Sequence, residues 1–315
     1  MSGYKTNNID ADCSSVLITG GSGMIGKHLT SLLLAQGYRV SHLSRKVIPG
    51  GNVRSFKWDP DKRNIDHDAF AGIDFIVHLA GANIGEKRWT NNRKREILES
   101  RINSTGLLFD TIQSQGINLK GFISASASGI YGSETSQKIF NELDQPSDDF
   151  LGSVCRSWED PADLFGKAGI RTVKLRTGVV LEKNESALSK MMIPGKFGFL
   201  VQTGSGHQYM PWIHISDLCR IYQKAMEDTE MSGAYNAVAP QHATHKEFMK
   251  TLAGVMKIPL IPFPVPEVVL KLILGEMSEI ILKGSRLSSE KLLNTGYRFL
   301  YSSLEDALFN VINEH

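Results

Sequence analysis

The stretch Thr19-Gly20-Gly21-Ser22-Gly23-Met24-Ile25-Gly26 decides the fold class of this 315-residue chain. It follows a short apolar run and opens a helical pattern that ends at Gln36. Its spacing satisfies G-x-G-x-x-G, in which glycine lets the chain turn sharply out of a strand and lets the backbone approach a phosphate. The helix that follows would present free N–H groups to that negative charge. This context predicts a dinucleotide-binding turn in preference to a plain glycine turn.

Segments with the character of strands and helices alternate on both sides of this turn. The helical patterns cover residues 24–36, 92–115 and 150–166. The strand-like segments are residues 15–19, 38–43, 53–58, 74–80, 120–125 and 171–176. Because alternating strands and helices form βαβ units with right-handed crossovers, this order predicts a parallel sheet. We therefore predict an α/β fold, a Rossmann-like doubly wound parallel sheet with a smaller, mostly helical C-terminal lobe.

Composition changes after about Leu181 and divides the chain into three regions. We expect a polar tail at residues 1–14, a dinucleotide-binding Rossmann domain at 15–184, and a substrate-side lobe at 185–315. The lobe should be interleaved with the last strands of the sheet. Within it, the capping box Thr244–Glu247 predicts the start of a helix.

Charge, hydrophobicity and cysteine content exclude several classes of protein. Lys and Arg number 35 against 33 Asp and Glu, so the chain lacks the basic excess of a nucleic-acid-binding protein. The most apolar stretch, Val265–Leu282, is interrupted by charged residues, which predicts an amphipathic helix and not a membrane span. Cys13, Cys155 and Cys219 form no C-x-x-C pair, so we expect neither disulfides nor a metal site. We expect a cytoplasmic monomer or homodimer without nucleic-acid or membrane partners.

The end of the second predicted strand bears on cofactor choice. Folds that select NAD place an acid there to bind the ribose 2′-hydroxyl. This chain instead reads His42-Leu43-Ser44-Arg45-Lys46, a hydroxyl followed by two cations, which suits a 2′-phosphate. We therefore predict NADP(H) in preference to NAD(H). Two alternatives stay open: Arg45 and Lys46 could form a solvated basic turn, and Asp59 could supply an acid from a neighbouring loop.

From these residues onward the chain resembles the extended, epimerase-like side of the short-chain dehydrogenase/reductase superfamily. Within it the chain is similar to an atypical branch, the NAD(P)-dependent epimerase-family proteins with a C-terminal domain of unknown function. The resemblance covers nearly the whole chain after the tail. It is carried by VLITGGSGMIGKHL, VHLAGANIGEKRW, ESRINST, SASASGIYG, LRTGVVL, GSGHQYMPWIHISDL and VPEVVLKLILGEMSEIILKGSR.

The resemblance implies a set of cofactor contacts along the chain. These are Gly20, Ser22, Gly23, Met24, Ile25, Gly26, Ser44, Arg45, Leu79, Ala80, Gly81, Glu96, Arg101 and Val180. Arg101 stands where extended relatives carry asparagine, so a longer, charged group could reach the cofactor. The alternative for Arg101 is a residue on the helix surface that pairs with Glu96 or Asp74.

The catalytic pair of the superfamily, a tyrosine with a lysine four residues on, is missing from the sequence. No tyrosine of this chain has a lysine at that spacing, and Leu151 and Cys155 occupy the two places. Ser126, Ser128 and Tyr131, at the end of the fifth long strand, are the candidates for a remaining catalytic site. The alternative for Tyr131 is structural packing beside the nicotinamide.

The predicted cofactor contacts and the missing tyrosine–lysine pair are compatible with two functions. The first is an NADP(H)-binding oxidoreductase or epimerase-like protein that acts on an unknown small molecule. Met210 stands where nucleotide-sugar relatives carry an arginine, which makes a nucleotide-sugar substrate a poorer fit. The second is a catalytically silent NADP(H)-binding module that senses redox state or binds a partner protein.

Overall fold

The structure is a computed structural model that describes residues 14–47, 53–132 and 135–313. The predicted tail, except for Ser14, lies outside the described residues. The strands are β1 (Ser15–Thr19), β2 (Arg39–Ser44), β3 (Arg54–Asp59), β4 (Asn64–Ile65), β5 (Phe75–His78), β6 (Gly121–Ala127), β7 (Ile139–Phe140), β8 (Thr172–Thr177), β9 (Val179–Leu181), β10 (Leu200–Thr203), β11 (Trp212–His214), β12 (Gly233–Ala237), β13 (Leu260–Val265) and β14 (Arg286–Leu287). The helices are α1 (Met24–Ala35), α2 (Asn91–Gln115), α3 (Phe150–Lys167), α4 (Ala187–Met191), α5 (Ile215–Glu227), α6 (His245–Met256), α7 (Glu267–Leu274), α8 (Glu279–Leu282), α9 (Glu290–Asn294) and α10 (Leu304–Asn313).

One large sheet organises the molecule. Its strand order is β12-β8-β6-β5-β1-β2-β3-β4, and every pair is parallel except β3 with β4. The chain runs outward from β1 to β2 and β3, then returns to the other side of β1 and continues through β5, β6 and β8. Strand order therefore reverses between β1 and β5, which is where doubly wound sheets bind ligands. The predicted doubly wound α/β fold is confirmed.

Helices cover both faces of this sheet. On one face, α1 and α5 pack through residues such as Leu29 and Leu218, and on the other α2 and α3 pack through Leu108 and Phe165. The central β1 is correspondingly apolar on both sides, since Val16–Ile18 is fully buried. A strand of a parallel sheet is buried in this way because its crossover helices occupy both faces.

The C-terminal part is smaller and mostly helical, as predicted. It adds three two-stranded pairings, β10 with β13, β9 with β11, and β7 with β14. Its own core is built around Trp212, Phe248 and Leu308. Two of its elements, α5 and β12, belong to the large sheet and its helical layer. The capping box of Thr244 with Glu247 at the start of α6 is also present.

The prediction of one amphipathic helix over Val265–Leu282 is wrong. Val265 ends β13, and the rest of the stretch forms α7 and α8 with a tight turn over residues 275–278 between them. Gly275 has φ +61°, a left-handed conformation that interrupts the helix and that favours glycine. In the part of the chain that the structure describes, no helix combines the length and the apolar character needed to cross a membrane.

Candidate cofactor-binding site

Two glycines of the turn after β1 have no room for a side chain. Gly20 has φ +71°, and a Cβ there would lie 3.1 Å from the backbone of Leu79 and Ala80. A Cβ on Gly26 would lie 2.4 Å from the carbonyl oxygen of Gly20. The N–H of Gly23 donates to that same oxygen at 3.0 Å, which closes the turn. The glycine spacing is therefore required by close backbone approach.

The turn leads directly into an open helix N-terminus. Gly23 is the N-cap of α1, no side chain caps the helix, and its first turn carries no acid among the described residues. Ser22 and Gly23 are exposed, while Met24 and Ile25 pack partly against the core. Backbone N–H groups without helical partners are thus available at a point of partial positive charge, and the geometry suits an anion.

Strand register brings the next two groups of predicted residues to the edge of the sheet at the ends of β1, β2 and β5, which we call the cofactor edge because the predicted cofactor contacts lie there. Thr19 pairs with Leu43 of β2 and with His78 of β5, so Ser44–Arg45 and Leu79–Gly81 flank the glycine turn. Arg45 is exposed and makes no ion pair within the described ranges.

The alternative acid near this edge, Asp59, is engaged elsewhere. Its carboxylate accepts the N–H of Lys62 at 3.3 Å and lies 3.8 Å from the Lys62 ammonium group, so it caps its own turn. At the end of β2, the Ser44 hydroxyl accepts the N–H of Lys46 at 3.4 Å, and Arg45 makes no ion pair among the described residues.

A buried polar network that the sequence did not reveal holds the end of β5. Nδ1 of His78 lies 2.7 Å from the Thr19 hydroxyl, which accepts the N–H groups of Leu79 and Ala80 at 3.2 Å each. Nε2 of His78 lies 3.0 Å from the Thr105 hydroxyl. Burial, helped by the charge of nearby Arg101, lowers the pKa of His78 to about 3, so the imidazole is neutral.

Arg101 lies beneath this edge with its charge incompletely satisfied. Its Nη1 donates to the carbonyl oxygens of Ala82 at 3.1 Å and Ile97 at 2.9 Å, and its guanidinium lies 4.4 Å above the Trp158 ring. Its Nε is buried and has no hydrogen-bond partner in the described structure. A Cβ on Gly81 would lie 3.2 Å from its Cζ. Burial lowers the pKa of Arg101 to about 10, so it stays charged at neutral pH.

The alternative prediction for Arg101, a surface residue paired with Glu96 or Asp74, is wrong. Arg101 is only 6% exposed. Glu96 pairs with Arg93 at 2.7 Å and Asp74 pairs with Lys120 at 2.9 Å. A carboxylate that would neutralise Arg101 is absent from the described residues, which leaves its charge available to an anion at the cofactor edge.

Arg93 is a second buried arginine, and sequence reasoning missed it. Its Nη2 donates to the carbonyl oxygen of Asn83 at 2.6 Å and to Glu86 at 3.1 Å. Glu96 is mostly exposed, and the hydrogen bond from Arg93, with the charges of Lys87 and Arg45, lowers the pKa of this carboxyl. Glu96 is therefore paired with Arg93 and lies within the electrostatic influence of Arg45 at the end of β2. The signal in the sequence was an arginine inside a helical stretch crowded with cations.

Val180 lies in the core cluster against which the start of α1 packs. It belongs to β9, which pairs with β11 through Ile213, and it is 9% exposed. Met24 and Ile25 of the glycine turn pack against the same cluster. Val180 is therefore an apolar support behind the turn.

Two of the three catalytic candidates are committed to a buried network. The Ser126 hydroxyl donates to Glu159 at 2.7 Å, and Glu159 receives two bonds from Arg176. The Tyr131 hydroxyl donates to Asn236 at 2.7 Å and accepts from Arg176 at 2.9 Å. Burial, partly offset by Arg176, raises the pKa of Tyr131 to about 12, the direction opposite to what proton transfer near neutral pH needs. The geometry favours the structural alternative for Tyr131 and extends it to Ser126.

Ser128 is placed differently. It follows β6 in a half-exposed turn, and its hydroxyl makes no hydrogen bond within the described ranges. Leu151 and Cys155 pack on this turn, since a Cβ on Gly129 would lie 3.4 Å from Cβ of Leu151 and 3.6 Å from Sγ of Cys155. Burial raises the pKa of the Cys155 thiol to about 12, so this cysteine fills the core as a neutral group.

Met210 is buried in the C-terminal core. It is 7% exposed and packs with Trp212 and Phe248. Within the segment that follows, His214 caps α5, and Nε2 of His214 lies 3.0 Å from Asn310. The segment therefore holds the C-terminal helices, and the described chain shows no group of three or more His, Cys, Asp or Glu that could bind a metal ion.

Comparisons with known proteins agree with this architecture. Residues 16–150 match the NAD dependent epimerase/dehydratase family, and residues 265–311 match a domain of unknown function, DUF1731. The chain is 39% identical to the epimerase family protein YfhF of Bacillus subtilis over 95% of this chain and 98% of the relative. It is 32% identical to the human epimerase family protein SDR39U1 over 94% of this chain and 99% of that protein.

A solved structure extends the comparison to three dimensions. The crystal structure of human epimerase family protein SDR39U1 (isoform 2) with NADPH superposes with a TM-score of 0.84 at 32% identity. The match covers 96% of this chain and all of the human one. With sequence, fold and C-terminal domain in agreement, this chain belongs to the NAD-dependent epimerase/dehydratase family, in the group that carries DUF1731 at its C-terminus.

Proposed function

We propose that this chain binds NADP(H) along the edge formed by the ends of β1, β2 and β5, and uses it on a small molecule of unknown identity. The reaction class is that of an oxidoreductase or an epimerase. The observation that carries the proposal is the N-terminus of α1 behind the Gly20–Gly26 turn, which no side chain caps, next to the buried Arg101, which has no carboxylate partner among the described residues. Together they supply positive charge and donors to a pyrophosphate.

The residues present fit the cofactor in two further respects. Ser44 offers a hydroxyl that can still donate, and Arg45 offers a guanidinium without an ion pair among the described residues, where a 2′-phosphate would distinguish NADP(H) from NAD(H). The backbone of Leu79 and Ala80 lies so close to Gly20 that a Cβ on Gly20 would be 3.1 Å from it. Residues 79–81 would therefore lie along the bound dinucleotide, beside the glycine turn. The NADPH carried by the human relative supports the same choice of cofactor.

When bound, the nicotinamide would supply hydride transfer, and the chain's own groups would position the reactants. We propose that Ser126 and Tyr131 hold the end of β6 through Glu159 and Asn236. Ser128 is then the hydroxyl available to orient a substrate oxygen, since it is half-exposed and makes no competing bond among the described residues.

A catalytically silent NADP(H)-binding module is the second candidate. Leu151 and Cys155 stand in the places of the family's tyrosine and lysine, and both pack on the turn after β6. Neither side chain can transfer a proton near neutral pH, because Leu151 is a hydrocarbon and burial raises the pKa of the Cys155 thiol. A module of this kind would bind the cofactor and report its redox state.

Two measurements on the purified protein separate these candidates. Fluorescence titration with NADPH and NADH gives the affinity for each nucleotide, and stopped-flow absorbance at the nicotinamide band follows turnover with a panel of carbonyl compounds. Turnover that Ser128→Ala slows, with NADPH affinity unchanged, supports the enzyme. Tight binding without turnover across the panel supports the silent module. Absence of binding by either nucleotide contradicts both.

We extend the proposal to cellular location and assembly. Cys155 and Cys219 are both buried free thiols, which suits the reducing cytoplasm. Light scattering coupled to gel filtration, with and without NADPH, would distinguish the monomer from the homodimer.

A further inference from the structure

The turn between α7 and α8 reaches across to the dinucleotide-binding domain. Glu276 forms an ion pair with Lys94 near the start of α2. Gly275 lies against the guanidinium of Arg88, since a Cβ there would be 3.1 Å from Nη2 of Arg88. The turn at residues 275–278, which lies within the DUF1731 match, therefore contacts the loop and helix that follow β5.

The same turn inserts a side chain into an apolar cluster. Met277 packs against the buried cluster of Trp89, Ile97 and Val154, as Phe150 and Leu151 also do, and the rings of Trp89 and Phe150 lie 4.7 Å apart. The ammonium group of Lys94 lies 5.0 Å from the centre of the Phe150 ring, so the ion pair and the cluster form one surface. We call this surface the apolar wall, formed by Trp89, Phe150, Leu151 and Met277.

The apolar wall lies beside the half of the sheet where the reactive end of a dinucleotide belongs. The adenosine half is bound over β1 to β3, so the other half extends over β5 and β6. Leu151 touches the turn at Gly129 after β6, and Ala82, which directly follows the cofactor edge at Gly81, packs in the same cluster. The wall therefore borders the substrate side of the proposed site.

The chemistry of the wall limits what can lie against it. Nε1 of Trp89 already donates to the carbonyl oxygen of Ile84 at 2.9 Å, and Lys94 is paired with Glu276. A sugar ring placed on this surface would leave hydroxyl groups without partners, which binding sites avoid. Arg88 is exposed and lies at the rim.

We infer that DUF1731 completes the ligand site through residues 275–278, and that the site takes a small molecule with an apolar part against Met277, Phe150 and Leu151. The inference rests on the proposed cofactor site. The far side of the turn is anchored as well, because Nε2 of Gln208 donates to the carbonyl oxygen of Ile281 at 2.9 Å.

The first test measures whether the turn shields bound NADPH. Acrylamide quenching of NADPH fluorescence is compared in the full-length wild type, Lys94→Glu, Glu276→Lys and the double variant, after NADPH affinity is measured for each. Each single change should raise the quenching constant several-fold through like-charge repulsion, and the double exchange should restore it. Equal quenching in all four proteins overturns the inference. Failure of the wild type to bind NADPH would instead contradict the cofactor proposal.

The second test addresses ligand class with compounds that NADPH cannot reduce. Cyclohexanol and 2-octanol should lower acrylamide quenching of bound NADPH saturably, and UDP-glucose should not. Met277→Gln should abolish the protection and Met277→Leu should keep it. The control Leu272→Gln, at a residue of α7 that is 78% exposed, should also keep it. Protection by UDP-glucose, protection by none of the three compounds, or protection unchanged in Met277→Gln overturns the assigned class.

Discussion

The Thr19 hydroxyl lies 2.7 Å from Nδ1 of His78, and this contact joins the ends of β1 and β5 where the strand order reverses. Because Oγ1 of Thr19 also accepts the N–H groups of Leu79 and Ala80, one buried pair orients the backbone along the cofactor edge. The pair needs a neutral imidazole, and burial keeps it so.

The buried imidazole should weaken the fold in acid. Below pH 6.5 the unfolded chain binds a proton on His78, while in the folded chain its pKa is about 3, so stability is lost as pH falls through that window. Between pH 7.5 and 5 this group should lower the free energy of unfolding by roughly 2 kcal/mol. Urea unfolding of His78→Asn should lack that part of the pH dependence. The surface variant His28→Asn should retain it, and identical pH profiles for His78→Asn and wild type would refute the effect.

Arg45→Ala should weaken the binding of NADPH much more than the binding of NADH. A charge-assisted bond to the 2′-phosphate is worth about 1.5–3 kcal/mol, so NADPH affinity should fall about 10- to 100-fold. NADH affinity should change little, because that cofactor has no group for Arg45 to bind. Fluorescence titration measures both, with Arg54→Ala as the control at the start of β3. Equal losses for the two cofactors would reverse the preference for NADP(H).

Two helical glycines should respond oppositely to alanine. Gly26→Ala forces a Cβ to 2.4 Å from the Gly20 oxygen, so the turn must shift and unfolding free energy should fall by about 1–3 kcal/mol with loss of NADPH binding. Gly254→Ala meets open space in α6 and should stabilise by about 0.5–1 kcal/mol. Thermal unfolding with nucleotide titration compares them. A Gly26→Ala protein with normal NADPH affinity would contradict the close-approach requirement.

Arg101→Met should separate binding from stability. Methionine keeps an apolar chain over Trp158 but removes a buried charge that has no carboxylate partner in the described structure. Thermal stability should therefore stay near that of the wild type, while NADPH affinity should fall about tenfold or more. Arg95→Met, on the exposed side of α2, serves as the control. If Arg101→Met lowers thermal stability but the protein that stays folded binds NADPH as tightly as the wild type, Arg101 has a structural role alone.

Tyr131→Phe should act on stability. It leaves Oδ1 of Asn236 without its donor and removes one acceptor of Arg176, and a buried polar group left unsatisfied costs about 1–3 kcal/mol. Tyr209→Phe removes a bond to exposed Gln137 and should cost less than about 0.5 kcal/mol. Chemical unfolding of both variants checks the contrast. An unchanged stability for Tyr131→Phe would return the tyrosine to the catalytic candidates.

The fold was predictable because its signals are local. Each strand and helix predicted for the dinucleotide-binding domain lies within two residues of its predicted bounds. Periodicity and glycine spacing report on backbone requirements of nearby residues, such as the positive φ of Gly20. Hydrophobic periodicity misled in Val265–Leu282, since an apolar pattern does not register that Gly275 leaves the helical region.

The site was only partly predictable, because partners come from distant segments. Ser126 and Tyr131 looked like free hydroxyls at a strand end. Their partners Glu159 and Asn236 lie 33 and 105 residues away along the chain. For Arg101 the sequence left a helix-surface position open as the alternative to a cofactor contact, and only the fold shows that Trp158 and the loop after β5 enclose it.

The sequence by itself determined the doubly wound α/β fold, the glycine turn and the basic end of β2, since each depends on residues within a few positions of one another. Tertiary structure decided which polar groups are consumed and which stay available. β8 lies next to β6 in the sheet and β12 lies next to β8, so Arg176 and Asn236 meet Tyr131. Hydrogen-bond satisfaction is a property of neighbours in space, and only the folded chain brings those neighbours together.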